Sequence, residues 1–143
     1  MSDRADAYIN REKSVMYDSL VGDSNSIFYK HTRTDVYVAA AAMGYYHKKS
    51  EKIPASLKQG LFVSTTLGKD STNNLWIMKS IAIAIKGIEV LSSMKDVISI
   101  CDEFANSGID DLYNFHMNST DEINDMASTL MDILLDFAII EGQ

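Results

Sequence analysis

The chain has 143 residues, 46% of them apolar and 23% charged, with a net charge of -7 and a single cysteine. That length suits one domain that buries its own core, and that composition is that of a folded globular protein rather than a disordered one. One cysteine, Cys101, excludes an internal disulfide framework and suits a reducing compartment.

The charges are sorted along the chain. Residues 101 to 143 carry ten carboxylates and no Lys or Arg, and the last basic residue is Lys95. Residues 30 to 69 run the other way, with seven basic side chains against Asp35 and Glu51. Opposed patches of this kind steer and orient charged partners, but they perform no chemistry. Met1 to Asn10 contains no apolar run of signal-peptide type. The most apolar stretch, Leu75 to Leu91, is 17 residues long and holds Lys79, Lys86 and Glu89, so it is too short and too charged to span a bilayer. A cytoplasmic protein without membrane attachment is expected.

Helical periodicity dominates, and the expected fold is an all-α bundle of about five to six helices in one domain, residues 1–143. A first helix is predicted over about Asp3 to Leu20, within an N-terminal segment 1–22 closed by Gly22. A second is predicted over about Thr34 to Met43, with Thr34 as N-cap, Asp35 at the positive end of the dipole and Gly44 at the left-handed stop. Residues 45–72 read as an irregular loop. Leu61 to Leu67 has strand-like content, as an extended connector or edge hairpin.

A central helix from Ser71 or Thr72 to Leu91 should be buried nearly all round, with Ile81, Ile85 and Ile88 in the core. Ser93 can cap the next helix, which places Val97, Ile100, Cys101 and Phe104 inward and should stop at Gly108. A short helix at about Ile109 to His116 follows. An acidic C-terminal helix, 119–141, opens with Ser119 and Glu122 at capping-box spacing.

Three segments carry a resemblance. They are Thr34-Asp35-Val36-Tyr37-Val38-Ala39-Ala40-Ala41-Ala42-Met43-Gly44-Tyr45, then Ile81 to Leu91, then Ile98 to Gly108. Together, across roughly residues 25 to 115, they resemble the DNA phosphorothioation (Dnd) system-associated protein 4 family, with a family-like core over 25–117. The resemblance implies a cytoplasmic accessory protein acting beside DNA modification or restriction enzymes in prokaryotes. It carries over no active site. The N-terminal helix and the acidic C-terminal helix depart from the family pattern.

No constellation for chemistry is present at the expected spacing. Gly68-Lys69-Asp70-Ser71 before a helix fails as a phosphate loop, because Val63 stands where the first glycine belongs and Asp70 where Ser or Thr should follow the lysine. His31, His47 and His116 lack metal-ligand spacing, and Cys101 sits at an apolar helix position. Asp102-Glu103, Asp110-Asp111 and Asp121-Glu122 read as solvated pairs. No enzyme, no metal and no cofactor is expected, and no small-molecule substrate is evident.

Two functions from different classes fit these residues. The first is an interaction subunit that docks onto a larger protein or forms a homodimer. Its expected oligomer interface is Leu135, Ile139 and Ile140, where the last helix becomes apolar on both sides. The alternative is a nucleic-acid-binding module using the basic segment 30–69. Its contacts would be Lys30, Arg33, Tyr46, Lys48, Lys49, Lys52 and Lys58, which combine phosphate neutralisation with a stacking ring.

Overall fold

The computed structural model describes residues 4–67, 72–118 and 129–135. Its order is strand β1 (Asp6–Asn10), helix α1 (Ser14–Gly22), helix α2 (Arg33–Tyr46), strand β2 (Lys58–Val63), helix α3 (Thr72–Lys86) and helix α4 (Met94–Asn118). Residues 129–135 form a further helical run, α5. The domain is mainly helical, with one small two-stranded ribbon added.

The N-terminal segment differs from the predicted helix. Asp6–Asn10 is a strand, followed by a single 3-10 turn at Arg11–Lys13, and the helix proper begins only at Ser14. Ala5, Ala7 and Ile9 are buried at period two, the strand period, whereas a helix would have scattered them around its circumference. The strand-like segment expected near Leu61 finds its partner here. β1 pairs antiparallel with β2, with a bulge between Ala7 and Tyr8. An isolated ribbon is marginal in water, so packing must hold this one. Ala7 and Ile9 supply it against α4, and Phe62 meets Tyr37 of α2 edge to face, with ring centroids 5.2 Å apart.

α2 and α4 form the centre of the domain. A capping box starts α2, but at Thr32 rather than Thr34. The Thr32 hydroxyl accepts from the Asp35 N–H, and the Asp35 carboxylate accepts from the Thr32 N–H. Gly44 is not the stop of this helix. α2 continues through it to Tyr46 and ends where Lys48 takes a left-handed φ of 57°. Gly108 likewise does not end a helix, and Met94–Asn118 is continuous. Both glycines serve the crossing instead. A Cβ on Gly44 would run into the Phe104 carbonyl, and one on Gly108 into the Ala40 carbonyl. The backbones touch because neither residue has a side chain.

α3 is shorter and more peripheral than its apolar content suggests. It ends at Lys86, because Gly87 turns the chain with φ 86°, and Ile88–Ser92 forms a 3-10 turn. Ile81, Val97 and Phe104 are buried as expected and Ile100 is half-buried, but Ile85 and Ile88 face solvent. Ser93 does cap α4, accepting from the Asp96 N–H. Its inner row is Val97, Ile98, Cys101, Ala105 and Ile109. Gly68-Lys69-Asp70-Ser71 and the Ser119–Glu122 capping box lie outside the described residues.

Candidate functional site

An open apolar surface lies on α3. Its solvent side presents Asn73, Trp76, Ile77, Ser80 and Ala84 at i, i+3, i+4, i+7 and i+11, a single helical stripe. Trp76 is 59% exposed. Beside this stripe lies a groove of about 440 Å³ lined by Tyr45, Trp76, Ile77, Ser80, Ile81 and Ala84. Among the described residues no charged side chain lines it. Two cations sit on its aromatic walls instead, Lys48 Nζ 4.0 Å from the Tyr45 ring centre and Lys79 Nζ 5.3 Å from the Trp76 ring centre. Tyr45 is fixed from behind by an edge contact with Phe104.

α5 is a second open apolar element. Leu130, Met131, Ile133, Leu134 and Leu135 are all exposed, Leu134 at 61%. Of the expected oligomer residues, Leu135 is therefore on the surface, while Ile139 and Ile140 lie outside the described residues.

The expected nucleic-acid contacts are spread out. Lys30 and Arg33 stand at the start of α2, and Lys48, Lys49 and Lys52 beyond its end, about 20 Å away along a 14-residue helix. Several are engaged within the chain. Arg33 Nε lies 3.4 Å from Asp18 Oδ1, Lys30 Nζ lies 5.5 Å from the Tyr29 ring centre, and Lys58 Nζ lies 5.3 Å from that of Tyr8. Lys49 and Lys52 are exposed, and Tyr46 is 78% exposed.

Acidic and backbone groups of α4 hold the loop that carries Lys48, Lys49 and Lys52. His47 Nδ1 lies 2.8 Å from Asp111 Oδ2, and the Glu51 N–H donates to the Glu103 carbonyl. Lys13 Nζ donates to the Asn106 carbonyl and to Asp110 Oδ2, each at 2.7 Å, and pairs with Glu51. Asn106 Nδ2 donates to the Glu51 carbonyl. Sequence reasoning had no signal for this assembly, because its members lie far apart in the chain.

A carboxyl group sits in the core. Asp102 is only 8% exposed, and its Oδ1 accepts from the Tyr37 hydroxyl at 2.6 Å and from the Tyr8 N–H at 3.2 Å. Burial pushes its carboxyl up to about 7, against the pull of those two donors and of Lys58. This corrects the solvated reading of Asp102-Glu103. The signal was present: Asp102 is four residues after Ile98 and seven before Ile109, on the buried row of α4. Burial, with Asp102 adding to it, also holds the Tyr37 hydroxyl and the Cys101 thiol well above their usual ranges. Cys101 is a core residue whose Sγ–H reaches the Met78 carbonyl at 3.6 Å.

The remaining histidines also pair with aspartates. His116 Nε2 lies 2.8 Å from Asp23 Oδ2, tying α4 to the end of α1, and His31 Nδ1 lies 3.3 Å from Asp35 Oδ2. A backbone N–H from Asn25, with His116 adding to it, holds Asp23 below the usual carboxylate range. Asp35 is low too: burial opposes this, but bonds from Asn74, Thr32 and His31 outweigh it. Among the described residues no cluster of three or more His, Cys, Asp or Glu side chains is arranged for a metal ion. No helix of these residues is long and apolar enough to cross a membrane.

No curated protein and no solved structure matches the chain. A family does, and it is the one that the three glycine-punctuated segments resemble. The family described as DNA sulphur modification system-associated protein 4 matches residues 8–136, from the first strand through the α2–α4 crossing and beyond α5, and the chain belongs to it.

Proposed function

We propose that this chain is a non-catalytic accessory subunit of a prokaryotic DNA sulphur modification system, acting by docking onto a protein of that system and onto a second copy of itself. Membership of the family supports the setting. One observation carries the mode of action: α5 leaves Leu130, Met131, Ile133, Leu134 and Leu135 open to solvent within seven residues. A helix of that kind needs cover, and one small domain has one face to offer it. Burial of a Leu or Ile side chain contributes roughly 1.5 to 3 kcal/mol, so a few such residues sustain an assembly.

The test uses the purified chain, alone and with purified proteins of the modification system. Light scattering should find more than one copy per particle, and Leu135→Asp with Ile139→Asp should reduce it to one while the helical spectrum stays. Gel filtration with the system proteins should find a stable complex. A monomer that binds none of them would overturn the proposal.

A second reading, nucleic-acid binding through residues 30–69, is favoured by one feature. The open Tyr46 ring stands beside the exposed lysines of the loop, the mixture that stacking and phosphate neutralisation use. Retention on DNA that falls steeply across a salt series would support it, and no retention at low salt would remove it.

A further inference from the structure

The α3 groove and α5 are chemically matched. The groove wall is uncharged, and its rim is made of two lysines seated on aromatic rings. α5 lies in the part of the chain that carries ten carboxylates and no basic residue. With about 100° per residue, Met131, Leu134 and Leu135 form one face of α5, and Asp132 stands at its edge. Laid along the groove, that face meets Trp76, Ile77 and Tyr45, and Asp132 reaches the lysine rim. Lengths agree as well. Trp76 to Ala84 rises about 12 Å along α3, and the seven residues of α5 rise about 10 Å. Ser80 and Ala84 are small enough for a second helix to come close.

Resting on the self-association reading above, we propose that α5 of one copy occupies the α3 groove of a second copy and that the exchange is reciprocal. Both surfaces are open on the same chain, with Trp76 and Leu134 each about three-fifths exposed. A single type of contact, made twice about a two-fold axis, then covers the groove and the Met131, Leu134 and Leu135 face of both chains and closes on itself. The lysine rim and the acidic segment fix the polarity of the exchange, because two α3 faces or two α5 segments would bring like charges together.

Trp76 is the only tryptophan of the chain, so its emission reports directly on the groove. In the full-length protein, emission should move to the blue as concentration rises through the range where light scattering records the dimer. Met131→Asp with Leu135→Asp should keep it red and the protein monomeric at every concentration. Independently, equal amounts of a Ser80→Cys variant and a Met131→Cys variant, treated with a short bis-maleimide, should give a covalent heterodimer absent from either variant alone. Cys101 is buried and serves as the unreactive control. A dimer whose Trp76 emission never changes, with no cross-linked heterodimer, would place the interface elsewhere; the groove proposal falls and self-association stands. A monomeric chain carrying both Ser80→Cys and Met131→Cys that links only within itself would show α5 folding back on its own domain and would overturn the exchange. A monomer without any link would remove both the exchange and self-association.

Discussion

Gly44 and Gly108 face each other across the α2–α4 crossing, and a Cβ on Gly108 would come to 2.8 Å from the Gly44 backbone nitrogen. The obstructing atoms are backbone carbonyls and nitrogens, which no side-chain rotation can move aside. In an open helix, replacing Gly by Ala stabilises by about 1 kcal/mol. At this crossing the sign should reverse. Gly44→Ala and Gly108→Ala should each destabilise by about 1–3 kcal/mol, the usual cost of overpacking. Urea titration followed by circular dichroism measures it, and a gain at either site would mean that the helices do not cross so closely. The double substitution should fall short of the sum, because the first spreads the helices for the second.

The buried carboxyl of Asp102 makes stability depend on pH with an unusual sign. Its folded value, about 7, is above the ordinary 3.8, so between these values the folded chain holds a proton that the unfolded chain has lost. Its contribution is fully present below 3.8 and declines as pH rises to about 7. Asp102→Asn keeps an acceptor for Tyr37 and Tyr8 and removes the charge. Stability of the variant relative to the parent should climb across that window and level off above it. A tenfold difference in proton affinity between the folded and unfolded chain is worth about 1.4 kcal/mol, so the effect is large enough to read from thermal melts at a series of pH values. A difference that does not change with pH would mean that Asp102 is solvated.

Lys13 is a strut between the N-terminal segment, the 47–53 loop and α4. Lys13→Met keeps the stem and removes the cation that Asn106, Asp110 and Glu51 share. With the two carboxylates partly exposed, a loss of about 1 kcal/mol is expected, smaller at high salt. Amide exchange of Glu51, whose N–H donates to the Glu103 carbonyl, should accelerate more than that of the α2–α4 core.

Reversing Lys48, Lys49 and Lys52 to Glu separates surface function from stability. Surface substitutions usually change stability within about 0.5 kcal/mol each. If the loop contacts phosphate, retention on DNA should vanish while the melting temperature stays nearly constant. If the groove exchange operates, losing Lys48 from the rim should instead weaken the dimer, and added salt should weaken the parent dimer in the same direction.

Helix positions and many core residues were legible because they depend on local periodicity. The row Val97, Ile98, Cys101 and Ala105 reads directly from the sequence, as does the Ser93 cap. What escaped depends on pairs far apart in the chain. β1 contains only five residues, and its alternation at Ala7 and Ile9 becomes decisive only when β2 is there to pair with it. Gly44 and Gly108 have the same sequence signature whether they stop a helix or let two helices touch. α3 reads as fully buried because Ile85, Ile88 and Trp76 are large and apolar, and nothing local tells a buried apolar face from one kept open. The basic segment is plain in the sequence, but α2 sets its two ends apart, and no residue count along the chain reveals that separation.

The pairing of Asp6–Asn10 with Lys58–Val63, and of Tyr8 with Asp102, has a consequence for synthesis on the ribosome. The first strand emerges early but has no partner until more than fifty further residues have been made, and no floor beneath it until α4 follows. Until then Ala7, Ile9 and the inner row of α2 remain uncovered on the growing chain. The domain therefore cannot close before α4 is made, because Gly108 of α4 packs on Ala40 and Asp102 of α4 holds Tyr8. A nascent chain halted before residue 94 should bind chaperones and be cut readily by proteases, and one released after residue 118 should resist both.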